Sequence, residues 1–214
     1  MARDKFASAV TAIVGASVIG ILYWYNRQSP VDEKYLITNI GALFWVPILI
    51  VMLFLRQEPS SFGFTPGDIG RGIRYSITLF VAVLPFLIIA SRMHQFQSYY
   101  PLQPRMVYDS VYFGYFELAY GIYLFCWEFF FRGFLLFGLS RTIGFWAVFV
   151  QAATFGIMHM GKPAPEVAAS FVAGVALGVV ALRSRSFLPC FLVHWASAVL
   201  FDVLIIMGKK GSFF

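Results

Sequence analysis

Glu128 with Arg132, His159, and His194 with Asp202 all fall inside long apolar runs. An ionisable group at the centre of a bilayer costs about 2.5 to 3.5 kcal/mol even on lenient insertion scales, so such residues usually face a wet interior and do work. Glu128 and Arg132 are spaced i,i+4 with the acid first, the favourable order for a helical ion pair, and a purely structural clasp is one reading of them. The two histidines lie on separate segments and meet only if the bundle packs those segments together. A carboxylate and two imidazoles in a secluded pocket suit two chemistries. In one, a carboxylate with a His deprotonates water for attack on a peptide carbonyl while the second His holds the oxyanion. In the other, Glu, His and His bind a divalent metal, zinc being the natural candidate, which acidifies the water. No H-E-x-x-H stretch occurs, so the zinc-protease signature is missing and no cofactor is expected.

The elements that position these residues follow from composition. The 214-residue chain is 60% hydrophobic and 12% charged, with a mean hydropathy of +0.77, which excludes an ordinary water-soluble domain. A net charge of +6 could suggest nucleic acid. The basic residues are scattered between apolar runs instead, as in loops flanking membrane spans, so no nucleic-acid partner is expected. Cys126 and Cys190 lie within apolar runs and read as buried small hydrophobes.

Seven spans are predicted, at about 6–25, 36–55, 76–90, 112–131, 145–160, 166–182 and 187–207. The first is closed by Tyr23, Trp24 and Tyr25 and reads as a retained helix rather than a cleaved signal peptide, being long and lacking a small-residue cleavage site. Thr65-Pro66-Gly67-Asp68 has the form of a capping box with Pro at N1, starting the helix that leads into the third span. Residues 91–111 form an interfacial loop. The fourth span carries Glu117 as well as Glu128, eleven residues apart and so on one face, and a short helix ending near Arg141 and Gly144 is expected after Gly133. Glu166 opens the sixth span after Gly161-Lys162-Pro163, where a first-turn acid compensates the helix dipole. With the N-terminus inside, eight basic residues fall inside (Arg3, Lys5, Arg56, Arg71, Arg74, Arg141, Arg183, Arg185) and seven outside, so charge hardly sets the orientation.

WEFFFRG at 127–133, FGIMH at 155–159 and VHW at 193–195, in that order, resemble the CPBP family, the CAAX proteases and bacteriocin-processing enzymes also called the ABI family. The likeness covers about 112–207. The family's motifs are E-E-x-x-x-R, F-x-x-x-H, and a His followed by Asn three or four positions on. The resemblance implies that the first Glu and the F-x-x-x-H histidine activate water, that the last His and the Asn hold the oxyanion, and that the second Glu pairs with the Arg. Arg132, Phe155, His159 and His194 match. Trp127 replaces the first Glu, leaving Glu128 in the second position, and Ser197 and Ala198 stand where the Asn belongs. Three accounts stand open: Glu128 serves as base, a carboxylate from Glu117, Glu166 or Asp202 substitutes, or the protein is a non-proteolytic relative. Asp202, eight residues after His194, lies on the same helix face and could orient that His or replace the missing polar partner.

The expected architecture is a single all-α integral membrane domain, a bundle of about seven (six to eight) spans, with 1–111 as leading spans and 112–207 as the CPBP-like core. The expected function is an intramembrane endopeptidase of the cell membrane using Glu128, His159 and His194. Arg132, Asp202, Glu166 and Ser197 would support them. Its substrate would be a membrane-associated peptide or protein, lipidated or not. A silent CPBP-fold scaffold or immunity-type protein is the rival, and a proton-coupled transporter the third reading.

Overall fold

The computed structural model describes residues 2–211. Eight helices run in the order α1 (Ala2–Asn26), α2 (Glu33–Phe54), α3 (Ile69–Ser91), α4 (His94–Tyr99), α5 (Ser110–Ile143), α6 (Trp146–Met158), α7 (Ala164–Ser184) and α8 (Leu188–Lys209). The described residues include no strand. All but α4 and α6 are long and apolar enough to cross a bilayer, which gives six spans. At about 1.5 Å per residue, the thirteen residues of α6 reach only about 20 Å, short of a hydrocarbon core of about 30 Å. The expected fifth span is therefore a helix too short to cross, and buried His159 is its C-cap residue.

Two local expectations are corrected. The chain does not break at Gly133: α5 runs through as a 34-residue helix, with a π-helical stretch over Phe129–Leu135 directly after Glu128. Close packing explains the Gly, since a Cβ at 133 would lie 2.9 Å from the Phe62 carbonyl oxygen. Nor does Thr65 cap α3. Asp68 does, its carboxylate accepting from the Arg71 amide at 3.0 Å. Pro66 and Gly67 instead form the turn before it, and the Asp68 amide donates to the Ser184 carbonyl at 2.7 Å.

Helix α5 is the centre of the molecule. Phe129, Phe130, Phe131 and Phe134 are wholly buried, and α1 lies along its second half, with the Ser8 hydroxyl donating to the Gly138 carbonyl at 2.6 Å. Against its first half packs α8, close enough at Gly121 that a Cβ would meet the Trp195 ring at 2.8 Å. Helix α3 closes the far side of α8 and turns Ile77, Val81, Phe86 and Ile89 outward, as a lipid-facing helix does. Both cysteines are buried and free, as expected.

Candidate active site

Glu128 is the hub. Its side chain is fully buried, and its Oε1 accepts from Arg132 Nη1 at 3.1 Å and from His194 Nδ1 at 2.6 Å. Taking a carboxylate and a guanidinium out of water costs several kcal/mol each, so the pair persists because each ion is the other's counter-charge. The guanidinium also lies 3.9 Å from the centroid of the Phe155 ring.

His159 is fixed differently. Its Nδ1 lies 2.8 Å from the Phe155 carbonyl oxygen, one turn back on α6. A carbonyl only accepts, so Nδ1 carries the proton and Nε2 keeps its lone pair. The Phe155 ring stands beside both histidines, with centroids 4.5 Å from His159 and 6.0 Å from His194. Phe155 thus holds His159 through its carbonyl and Arg132 through its ring. Both histidines are anchored through Nδ1, and both line one cavity of about 280 Å³ together with Trp127. That cavity lies toward the end of the bundle where Asn26, Val31, Tyr99 and Gly161 sit, opposite the end that holds Ala2 and Arg141. Glu128 is behind this wall. Trp127, on it, has its ring centroid 6.0 Å from that of His159.

The remaining predicted site residues are elsewhere. Asp202 stands beside Glu117 across the α5–α8 contact, while the Nδ1 of His194 is held by Glu128. Glu117 Oε1 and Oε2 and Asp202 Oδ1 are buried with no hydrogen-bond partner among the described residues. Ser197 and Ala198 line a second cavity, about 340 Å³ and mostly apolar, with Asp202 and Glu166; His194 and Lys162 border both. Glu166 is in the first turn of α7 but accepts from Lys162 Nζ at 2.7 Å and from the Tyr100 hydroxyl at 2.9 Å. Burial works against the Lys162 charge, and Glu166, Tyr100 and Tyr120 together more than offset it, holding the ammonium well above the ordinary lysine range. Lys162 and Tyr100 went unrecognised in the sequence, although the i,i+4 spacing of Lys162 and Glu166 was a usable signal. Among the described residues, no three of His, Cys, Asp or Glu group as metal ligands.

Residues 110–200 match the family model described as type II CAAX prenyl endopeptidase Rce1-like. That family model belongs to the CPBP family, so the chain is similar to CPBP proteins over residues 110–200. No curated protein and no solved structure matches the chain. The CPBP segment covers α5 to most of α8, the helices that carry Glu128, His159 and His194. It supports a multi-pass membrane protein with a CAAX-type intramembrane protease kind of function. In CPBP terms the E-x-x-x-R half of the first motif is present as the Glu128–Arg132 pair, and Trp127 occupies the cavity wall in place of the first Glu.

Proposed function

We propose that the protein is an intramembrane endopeptidase acting on a membrane-associated peptide, with His159 as the base. The supporting observation is that His159 and His194 are both anchored through Nδ1 while lining one cavity, so each has Nε2 uncommitted. His159 Nε2 takes a proton from water, and the hydroxide oxygen adds to the peptide carbonyl carbon. His194, doubly protonated against Glu128, donates from Nε2–H to the oxyanion; the carboxylate orients and stabilises the ring, as in the Ser-His-Asp arrangement. As the C–N bond breaks, the His159 imidazolium returns its proton to the leaving amine. Glu128 is an orienting group in this scheme, because Arg132 and His194 already occupy its Oε1.

One observation favours a second reading. Trp127 cannot accept a proton, and no Asp or Glu among the described residues lines the first cavity, which suits a CPBP-fold scaffold that binds without cutting. The test is cleavage of a fluorescence-quenched, prenylated peptide by the purified full chain in detergent, with and without a chelator. Cleavage that survives the chelator supports the His159 scheme. Loss with chelator and recovery with Zn²⁺ supports metal-bound water, and no cleavage at all supports the scaffold.

A further inference from the structure

The second cavity is lined from α3, α7 and α8, and Phe86, Ile89 and Ala169 on its lining are exposed on the outside of the bundle, so it opens between α3 and α7 toward the bilayer. Its volume, about 340 Å³, and its mostly apolar wall with a few polar groups are those of a small-molecule site. Aspartate is almost never buried without a partner. Asp202 lines this cavity, is only 5% exposed, and has its Oδ1 buried with no hydrogen-bond partner among the described residues. Both carboxyl oxygens of Glu117, beside it, are in the same condition. The other charges on the wall are matched. Lys162 meets Glu166 at 2.7 Å, both on this lining, and His194 is engaged with Glu128 at 2.6 Å. Glu166 also accepts from the Tyr100 hydroxyl, and the Tyr100 ring lies 5.4 Å, centroid to centroid, from that of Phe201, the residue before Asp202. One wall therefore holds a paired Lys–Glu group, aromatic rings, and a carboxyl with no cation facing it.

We propose that the second cavity binds a lipophilic monoamine, a compact apolar body carrying one protonated amino group, which enters from the bilayer and sets its ammonium against Asp202. A buried carboxylate without a counter-charge is complemented by a charged donor, and a charge-assisted hydrogen bond is the strong kind. The rings of Phe96, Tyr100, Tyr120 and Phe201 line the same space, and aromatic faces attract a cation and not an anion. Val83, Phe86 and Leu87 offer no hydrogen bonds to a second polar group, which selects an amine with an apolar body over a polar one. A fatty acid or a phosphate would place another negative charge beside Asp202 and Glu117. The inference is independent of the peptidase reading, since it concerns binding in a cavity that neither His159 nor Trp127 lines.

Isothermal titration calorimetry of the purified full chain in detergent tests it with 4-phenylbutylamine, 4-phenylbutan-1-ol and 4-phenylbutyrate, which share one apolar body and differ in charge. The amine should bind at least about tenfold tighter than the alcohol, and the carboxylate most weakly. Asp202→Asn keeps the shape of the side chain and should bring amine and alcohol within about twofold of each other. Ala169→Phe, at an exposed position on the cavity lining, should abolish the binding of both. Equal affinity for amine and alcohol in the unsubstituted protein overturns the proposal; if Ala169→Phe still blocks both, the cavity takes a plain hydrocarbon chain instead. A preference for the amine that survives the double variant Glu117→Gln/Asp202→Asn, or amine binding that Ala169→Phe leaves unchanged, places the amine elsewhere and overturns it as well. Tightest binding of the carboxylate overturns it in favour of Lys162 as the anchor. Each of these outcomes is read without turnover, so cleavage of the quenched peptide, or its absence, decides the peptidase reading alone.

Discussion

Glu117 and Glu128 sit on one face of one helix, both buried, and their surroundings are opposite. Glu128 meets an arginine and a histidine. Glu117 meets another carboxyl, that of Asp202, while the Trp195 indole donates to its backbone carbonyl at 3.0 Å. Burial makes both acids conspicuous in the sequence, but only one is linked to a side chain at the histidine-lined cavity. A buried acid is informative about chemistry through its partners, and the antiparallel packing of α5 on α8 assigns them: His194 meets α5 near Glu128, and Asp202, eight residues on, meets it near Glu117.

That contrast can be broken from either side. The largest effect is expected at the Glu128 level. Glu128→Gln leaves Arg132 charged and without its counter-ion, so it should lower stability by about 3–5 kcal/mol, read as a drop in Tm in detergent, and cut turnover by at least about 10²-fold as His194 loses its orienting carboxylate. The double variant Glu128→Gln/Arg132→Met should recover much of the Tm but none of the activity. A recovery of both would make the pair a structural clasp only. At the Glu117 level the effect should be small. Glu117→Gln keeps a donor to the Asp202 carboxylate, so Tm should change by an amount equivalent to about 1 kcal/mol or less, and turnover by less than about threefold. Asp202→Asn should behave alike. A dead Asp202→Asn enzyme beside an active Glu128→Gln one would move the essential carboxylate to the other end of the α5–α8 contact.

The sequence made part of this legible. The i,i+4 spacing of Glu128 and Arg132, the length of the apolar runs and the order of the three motifs led to an all-α membrane bundle of the CPBP kind. The partner of each carboxyl was not legible. Asp202 shares the helical periodicity of His194, which makes it a plausible helper, yet the rotation of α8 against α5 aims it at Glu117, and periodicity within one helix carries no information about the rotation of its neighbour. Gly133 lies inside α5, where it admits the Phe62 carbonyl, a contact made by a segment about seventy residues earlier. Thr65 lost the α3 cap to Asp68 for a similar reason, since the turn before α3 is held by Ser184 of α7. Tyr100 became the partner of Glu166 across sixty-six residues, beyond any local pattern.

The central claim is that His159 Nε2 receives the proton of the attacking water, and chemical rescue tests it most directly. His159→Ala should lower cleavage of the quenched peptide by at least about 10²-fold with the protein still folded in detergent, and added imidazole should restore a part of that rate in His159→Ala alone, leaving Glu128→Gln unrescued. A His159→Ala protein that cleaves at the wild-type rate would contradict the account.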